Sequence, residues 1–458
     1  MINNFPTHIK ETLRLAYPVA IAQLGHIMLG ITDSIMVGKV GAVPLAASSL
    51  VNGLIFLIVV FGLGMTLAIT PLVAIARGQE NYPHCGVILR QALLFNSAFA
   101  ILLFLIAFFL ADLIPLLNQP PEVAAQAISY AKIISLSIIP FMLFQTYRQF
   151  IEGLSFTRPA MYITIGANVV NVFGNWVFIY GKLGFPAYGL DGAGYSTLLT
   201  RIFMAGVIVV YVLFTAKFRQ FDPSFKFRNI NFKVMRRLVD IGLPSGFQNF
   251  FEVGAFAFSA VMIGWLGSKP LAAHQIALSM ASVSFMIILG ISAAGTIRVG
   301  NAVGRQDVKG VRDAGFSAVL FAAAIMAVSG IAFIFLRNLL PRIFISDPQV
   351  VSIAASLLVV AAFFQISDGI QASGLGILRG ITDVKIPMMI SFIAYWGVGL
   401  PVAYFLGFIA GIGVVGIWIG LLIALTIAAT LFTLRFNYKT RTAMVTLPAE
   451  QLTSPAET

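Results

Sequence analysis

Long apolar runs separated by short polar breaks recur along the whole chain. Their Phe, Leu, Ile and Ala residues do not alternate as barrel strands do. Each run reaches the roughly 20 residues that a helix needs to cross about 30 Å of hydrocarbon. The pattern predicts an all-α protein with twelve membrane-spanning helices, near residues 15–37, 47–75, 91–111, 123–147, 159–180, 192–214, 241–266, 270–297, 314–336, 350–378, 386–409 and 411–434.

The composition supports a membrane protein. Of 458 residues, 59% are hydrophobic and 10% are charged, and the mean hydropathy is +0.95. Soluble domains carry roughly 25% charged residues, so the composition excludes a soluble domain.

The basic residues predict the orientation of the helices. With the N-terminus inside, 22 of the 29 Lys and Arg residues fall on the inner side. Five fall on the outer side: Lys39, Lys182, Lys269, Arg337 and Arg342. The positive-inside rule therefore places both termini in the cytoplasm. It also explains the net charge of +12 without a nucleic-acid partner.

The chain contains an internal repeat. The tetrapeptide Pro-Leu-Ala-Ala occurs at residues 44–47 and again at 270–273, an offset of 226. The same offset pairs Pro18 with Pro244, Met36 with Met262, Gly38 with Gly264, Gly41 with Gly267, Gly64 with Gly290, and Gly78 with Gly304. Pro121 and Gly153 recur as Pro348 and Gly380 at an offset of 227.

The repeat predicts the domain organisation. Each half holds six helices, and an even number gives parallel repeats related by an axis along the membrane normal. We expect an N-terminal lobe (1–215), a basic cytoplasmic linker (216–238), a C-terminal lobe (239–440) and a disordered cytoplasmic tail (441–458). Two such bundles with a cleft between them are typical of alternating-access transporters. Gene duplication without a transport role is the alternative.

Three acidic residues stand apart from the rest. Fourteen of the 17 fall in tails, loops or terminal turns, whereas Asp33, Glu252 and Asp368 lie within predicted spans. A carboxylate near a helix centre costs ~2.5–3.5 kcal/mol on insertion scales. Such a group is retained by pairing, by a bound cation or by taking a proton. The three acids therefore predict a cation-coupling set, with structural hydrogen-bond anchors as the alternative.

Polar side chains accompany Asp33 in the N-terminal half. Asn171 and Asn175 are four residues apart and share one face of the fifth helix. Thr197 follows a Gly-rich start of the sixth helix. These oxygens suit a hard monovalent cation or a proton relay, and interhelical hydrogen bonding accounts for them equally well. Arg201, deeper in the same span, either pairs with an acid or polar cluster of this half or extends toward the membrane surface.

The seventh span mixes aromatic and polar side chains. The segment 247–252 reads Phe-Gln-Asn-Phe-Phe-Glu, and Phe256 and Phe258 follow. Such a wall suits flat, cationic molecules through stacking and cation–π contact. Lipid-facing packing explains many of the chain's 40 Phe residues equally well.

The motifs together resemble the multidrug and toxic compound extrusion (MATE) transporters, and among them the NorM-type bacterial subgroup. The resemblance covers about residues 10–440. It rests on segments 33–38, 44–47, 175–181, 246–252, 270–275 and 298–301, on Asp368 with Gln371, and on Leu378-Arg379-Gly380 leading to Pro387.

The resemblance implies efflux of cationic, amphipathic drugs and dyes in exchange for Na+ or H+, by alternating access between two lobes forming a V-shaped cleft. It implies an N-lobe cation site of Asp33, Asn171, Asn175 and Thr197. It also implies a C-lobe site of Glu252 and Asp368. In the archaeal and related subgroup the position of Asn175 resembles an aspartate. The amide here leaves the N-lobe site with one fewer negative charge, which favours the C-lobe pair as the sodium site.

Further expectations follow from the resemblance. Substrate-binding candidates are Gln248, Phe251, Phe256, Asp368 and Gln371; Na+ candidates are Glu252, Asp368 and Asp33. We expect no cofactor beyond the coupling ion, and a monomer in the bacterial inner membrane with drugs and lipid as its partners.

Two rival functions remain open. A lipid-linked saccharide exporter or flippase of the same superfamily handles anionic substrates, and three acids against one Arg within the spans disfavour that. An intramembrane enzyme is disfavoured because the sequence has no HExxH, no GxGD and no paired aspartates of the prenyltransferase type. Nothing resembles the filter loop of a channel.

Overall fold

A computed structural model describes residues 5–223 and 230–442, and within these ranges the regular structure is entirely helical. The α-helices are α1 (Phe5–Gly38), α2 (Ala42–Thr66), α3 (Ile69–Gly78), α4 (Tyr82–Leu110), α5 (Pro121–Leu136), α6 (Ile138–Gly153), α7 (Arg158–Phe178), α8 (Leu190–Phe214), α9 (Phe232–Trp265), α10 (Ser268–Gly304), α11 (Val308–Leu336), α12 (Pro348–Gly380), α13 (Lys385–Phe392), α14 (Leu400–Tyr404) and α15 (Val414–Thr442). Two π-helical stretches, Ile393–Gly399 and Phe405–Ile409, flank α14. Short 3₁₀-helices occur at Ala111–Leu117, Ala216–Phe221 and Leu340–Ile343.

The helix bounds repeat with the sequence, which confirms the predicted register. Helices α4 and α11 begin 226 residues apart and also end 226 residues apart. The pair α5–α6 begins and ends 227 residues before α12 begins and ends. The halves differ in continuity: Ser137 interrupts the first-half helix between α5 and α6, whereas α12 runs unbroken. The two halves thus share their helix bounds but differ in whether this helix is continuous.

Eleven helical segments of the described chain are long and apolar enough to cross a membrane. The fifth predicted span forms α7, but it is not among the eleven. Asn168, Asn171 and Asn175 lower its mean hydropathy. The predicted number of twelve spans is therefore not confirmed.

The described residues form two compact units, each with its own core. Residues 15–73, 81–223 and 230–254 form the first unit, and residues 5–14, 74–80 and 255–442 form the second. The first core gathers side chains such as Val51, Tyr130 and Ile138. The second includes Tyr395 and Trp418. The unit bounds differ from those of the lobes drawn from the repeat, and the lobe division stays a prediction.

Part of the predicted linker forms helix. Its first residues form the 3₁₀-helix Ala216–Phe221, and Arg90 of α4 binds the Asp222 carboxylate at 2.9 Å. Residues 224–229 of the linker lie outside the described residues, as do residues 443–458 of the predicted tail. From Phe232 onward the linker is already helix α9.

Helices α2 and α9 approach each other closely in the first unit. Gly242 and Gly246 lie four residues apart on α9 and face α2, where Met65 lies next to Gly242 and Gly64 lies next to Gly246. A Cβ added at Gly64 would lie 2.1 Å from the Cα of Gly246. Small residues spaced by four permit such backbone contact between membrane helices.

Replacing Gly64 by valine is expected to destabilise the protein. Overpacking a well-packed site costs about 1–3 kcal/mol or more, and here the clashing atoms are backbone. Thermal unfolding of the purified protein in detergent measures the loss. Gly53→Val is the control, since Gly53 is also in α2 and has nothing within 4 Å of an added Cβ. Equal unfolding midpoints for the two variants would contradict this packing argument.

Candidate functional site

Asp33 lies at the centre of a polar cluster in the first unit. The amide Nδ2 of Asn175 donates to Asp33 Oδ1 at 2.7 Å, and the Thr197 hydroxyl donates to Asp33 Oδ2 at 3.1 Å. Asn175 Nδ2 also donates to Asn171 Oδ1 at 3.3 Å. The structure thus brings together the four residues that the sequence grouped around Asp33.

Helix geometry and small residues hold this cluster in place. The four-residue spacing of Asn171 and Asn175 puts both amides on the buried face of α7. A Cβ at Gly174 would lie 2.6 Å from Ser196 Oγ, so α7 and α8 meet closely there. The Ser196 hydroxyl donates to the Asn171 carbonyl at 3.0 Å, which fixes the turn of α8 that carries Thr197.

The cluster offers an incomplete set of oxygen ligands. Asn175 is fully buried, and within the described residues its Oδ1 atom has no hydrogen-bond partner. Leaving a buried acceptor unsatisfied costs about 1–3 kcal/mol. A small cation or a protonated group beside Asp33 would satisfy it. The arrangement is therefore chemically suited to binding and releasing a monovalent cation.

Arg201 contacts a hydroxyl group and an aromatic ring within the same unit. Its Nη1 donates to Ser137 Oγ at 2.7 Å, and its guanidinium lies 4.7 Å from the centre of the Phe141 ring. Among the described residues it forms no ion pair at salt-bridge distance. Arg201 therefore makes a polar contact within the N-terminal half, with Ser137, rather than with the residues around Asp33.

Glu252 lies in the first unit beside aromatic side chains. Gln248 Nε2 donates to Glu252 Oε2 at 3.2 Å, one helical turn away on α9. Phe251 stacks on Phe247 with ring centres 6.0 Å apart, and Phe247 packs edge-on to Phe61 of α2. The predicted substrate residues Gln248 and Phe251 therefore adjoin the predicted coupling acid.

Asp368 lies in the second unit on α12 and is 7% exposed. Gln371, on the next turn, is fully buried. A Cβ at Gly369 would lie 2.6 Å from Met326 Cγ of α11. This turn of α12 therefore packs closely against α11. Because Glu252 belongs to the other unit, the predicted pairing of Glu252 with Asp368 stays a prediction.

Aromatic side chains pack together one turn before Asp368 on α12. Phe364 lies one turn before Asp368, and its ring centre is 6.0 Å from that of Phe256. Phe256 also packs against Tyr395, with ring centres 6.5 Å apart. The sequence predicted Phe256 but missed Phe364 and Tyr395. The spacing from Asp368 could have identified Phe364, whereas Tyr395 lies in a π-helical stretch that no apolar pattern marks.

Two other sets of polar side chains are buried: His274, and the ion pair of Arg148 with Glu152. His274 is fully buried and accepts a hydrogen bond from Trp418 Nε1 at 3.1 Å. Glu152, one of the fourteen acids expected outside the middle of the spans, lies in the last turn of α6, but it is buried. It pairs with Arg148 at 2.7 Å, and both side chains are under 5% exposed. Opposite charges four residues apart on a helix can pair whether or not they are exposed. The spacing of Arg148 and Glu152 therefore does not by itself predict that the pair is buried.

Comparison with known proteins agrees with the internal repeat of the sequence. The MatE family model matches residues 18–177 and again 244–405, so its two matches begin at the repeat partners Pro18 and Pro244. A "Probable multidrug resistance protein NorM" of Mesorhizobium japonicum is 35% identical over 448 residues, covering 96% of each chain. The "Multidrug resistance protein NorM" of Photobacterium profundum is 32% identical, covering 95% of this chain and 97% of its own.

Solved structures share the fold. The eukaryotic MATE transporter AtDTX14 superposes with a TM-score of 0.86 at 21% identity, covering 98% of each chain. The bent form of the Vibrio cholerae MATE transporter VcmN has a TM-score of 0.86 at 18% identity, covering 95% of this chain and 98% of its own. The chain is therefore a multi-pass membrane protein that belongs to the MATE transporter family, in its NorM-type bacterial group.

Proposed function

We propose that the protein exports cationic, amphipathic drugs and dyes in antiport with Na+ or H+, by alternating access. The observation that carries the proposal is the Asp33 cluster, in which Oδ1 of the buried Asn175 lacks a hydrogen-bond partner among the described residues. The multidrug resistance names of the relatives support the substrate class. We place the protein in the bacterial inner membrane, as a monomer with both termini cytoplasmic.

The proposed coupling site combines charge with neutral oxygens. Asp33 supplies the negative charge, and Asn171, Asn175 and Thr197 supply oxygens. Hard monovalent cations favour such donors. A bound ion or proton neutralises Asp33 and so weakens the hydrogen bonds that the carboxylate accepts from Asn175 and Thr197. Occupancy of the site thereby changes how tightly α1 is held to α7 and α8.

The proposed substrate contacts are aromatic surfaces next to acids. Phe251 adjoins Glu252, and Phe256 adjoins the Phe364 turn that precedes Asp368. Cations desolvated over an aromatic ring gain about 2 kcal/mol or more, and a nearby carboxylate adds long-range attraction. Gln248 and Gln371 add hydrogen-bonding groups for polar parts of a drug.

A second candidate function has one specific observation in its favour. Arg201 is a guanidinium that pairs with a hydroxyl and an aromatic ring, and with no carboxylate among the described residues. Such a group also suits the anionic head of an amphiphile. Export or flipping of a lipid-linked saccharide is therefore the alternative.

Proteoliposomes with sodium and proton gradients imposed separately test the proposal. We expect one of the two gradients to drive transport of a monocationic dye such as ethidium, and removing that gradient to stop it. A fluorescent lipid-linked saccharide added to the same vesicles is the discriminating substrate. Lipid flipping with no gradient-driven dye movement would overturn the antiport proposal in favour of the alternative.

A further inference from the structure

A polar cavity of about 600 Å³ opens between the end of α11 and the start of α12. Its walls include two arginines and several hydroxyl groups, namely Arg337, Arg342, Ser346, Ser352 and Ser356. All of them belong to the second unit. We call this space the α11–α12 cavity; none of the proposed coupling or drug-binding residues lines it.

The two guanidinium groups in this cavity are not neutralised by the protein. Within residues 5–223 and 230–442, neither Arg337 nor Arg342 forms an ion pair. The neighbouring carboxylate of Asp347 is engaged elsewhere: it accepts hydrogen bonds from the backbone N–H groups of Gln349 and Val350 and lies 3.5 Å from Lys269. The cavity therefore concentrates positive charge beside hydroxyl donors, which is the chemistry of a phosphate receptor.

The surroundings of the cavity indicate which class of phosphate-bearing ligand fits it. The membrane-spanning segment of α11 ends at Leu336 and that of α12 begins at Pro348, so the cavity lies at a membrane boundary. Large apolar side chains project from the same turn, with Phe335 82% and Ile343 73% exposed. A ligand with a phosphate head and hydrocarbon chains fits both features.

The repeat shows that the two arginines are not a general property of the fold. The corresponding turn of the first half, Ala111–Leu117, has no basic residue. Its acid, Asp112, instead pairs with Lys132 at 2.7 Å. The first half thus carries an internal ion pair at this turn, whereas the second half carries two arginines that line a cavity.

We propose that the α11–α12 cavity binds the phosphate headgroup of an anionic phospholipid, with the acyl chains lying along the exposed apolar side chains of the same turn. Arg337 and Arg342 are the binding residues, and the serines contribute hydrogen bonds to the phosphate oxygens. The inference depends on the membrane boundary and not on the proposed drug antiport.

Lipid binding by the intact purified protein tests this inference. The probes are nanodisc or micelle titrations with phosphatidylglycerol, phosphatidylcholine and soluble glycerol phosphate, with bound lipid counted by native mass spectrometry. We expect the wild-type protein to bind phosphatidylglycerol at least about tenfold more tightly than phosphatidylcholine. Equal binding of the two lipids would overturn the proposal, as would glycerol phosphate binding as tightly as the lipid. This comparison needs no variant.

Charge-removing variants locate the site. Arg337→Gln with Arg342→Gln is expected to lower phosphatidylglycerol affinity by about tenfold or more, since each basic residue near the surface contributes to the attraction. Lys39→Gln with Lys182→Gln is the matched control, because it removes two basic residues that the orientation rule places on the same side. Undiminished binding by the arginine variant, or equal losses in the two variants, would overturn the assignment to this cavity.

Discussion

Replacing Asp33 by asparagine is expected to reduce gradient-driven dye efflux by at least about tenfold, within the 5- to 150-fold range of typical coupling free energies. The amide keeps the size of the side chain and one oxygen for the Thr197 hydroxyl. It removes the negative charge that a cation or proton would neutralise. The response to the imposed sodium or proton gradient in proteoliposomes measures the loss, and dye binding measured separately shows whether the fold persists.

A matched variant separates coupling from a general effect of charge. Asp112 also lies in the first half, but it pairs with Lys132 near the protein surface. Exposed ion pairs contribute about 0–1 kcal/mol to stability, so Asp112→Asn is expected to keep wild-type efflux. If Asp33→Asn transports as the wild type does, the coupling role fails and Asp33 serves only to join helices α1, α7 and α8.

The polar cluster around Asp33 illustrates what one sequence can predict. The spacing of Asn171 and Asn175 fixes their common helix face because helix periodicity is local. Asp33 and Thr197 could be added because charge and oxygen are rare within apolar spans. The partner of Arg201 was not predictable. Ser137 becomes available to it only where the first-half helix breaks between α5 and α6, and the unbroken counterpart α12 shows that the repeat does not dictate that break.

The repeat also predicted helix bounds better than it predicted chemistry. Offsets of 226 and 227 reproduce both ends of α4 in α11 and both ends of α5–α6 in α12. Burial followed less directly from the sequence. Glu152 lies at a helix end, yet tertiary packing buries it with Arg148, and only the structure shows which helix ends are covered.

The equivalent positions Phe141 and Asp368 carry opposite chemistry. In the first unit, Phe141 supports the guanidinium of Arg201. In the second unit, Asp368 presents a carboxylate at the corresponding turn and is 7% exposed. The first half therefore holds a fixed cation where the second half offers a negative group. The affinity for a cationic drug is accordingly expected to depend more strongly on Asp368 than on Phe141.

Replacing Asp368 by asparagine is expected to lower the affinity for a monocationic dye by at least about tenfold and to abolish efflux. Opposite charges ~4 Å apart attract by ~4 kcal/mol at an effective dielectric constant near 20, and desolvation offsets part of this. The amide has nearly the same size as the carboxylate, so the fold is expected to survive. Equilibrium dye binding by fluorescence, followed by efflux from the same preparation, measures both effects.

Charge dependence distinguishes this role from a structural one. A neutral amphiphile of similar size should bind the Asp368→Asn variant with nearly wild-type affinity, because only the Coulombic part of the interaction is lost. Asp313→Asn, at an acid in the first turns of α11, supplies a control in the same unit and is expected to leave both ligands unaffected. If the Asp368 variant lost affinity equally for neutral and cationic ligands, Asp368 would be shaping the site through packing and hydrogen bonds, and its charge would not be selecting the substrate.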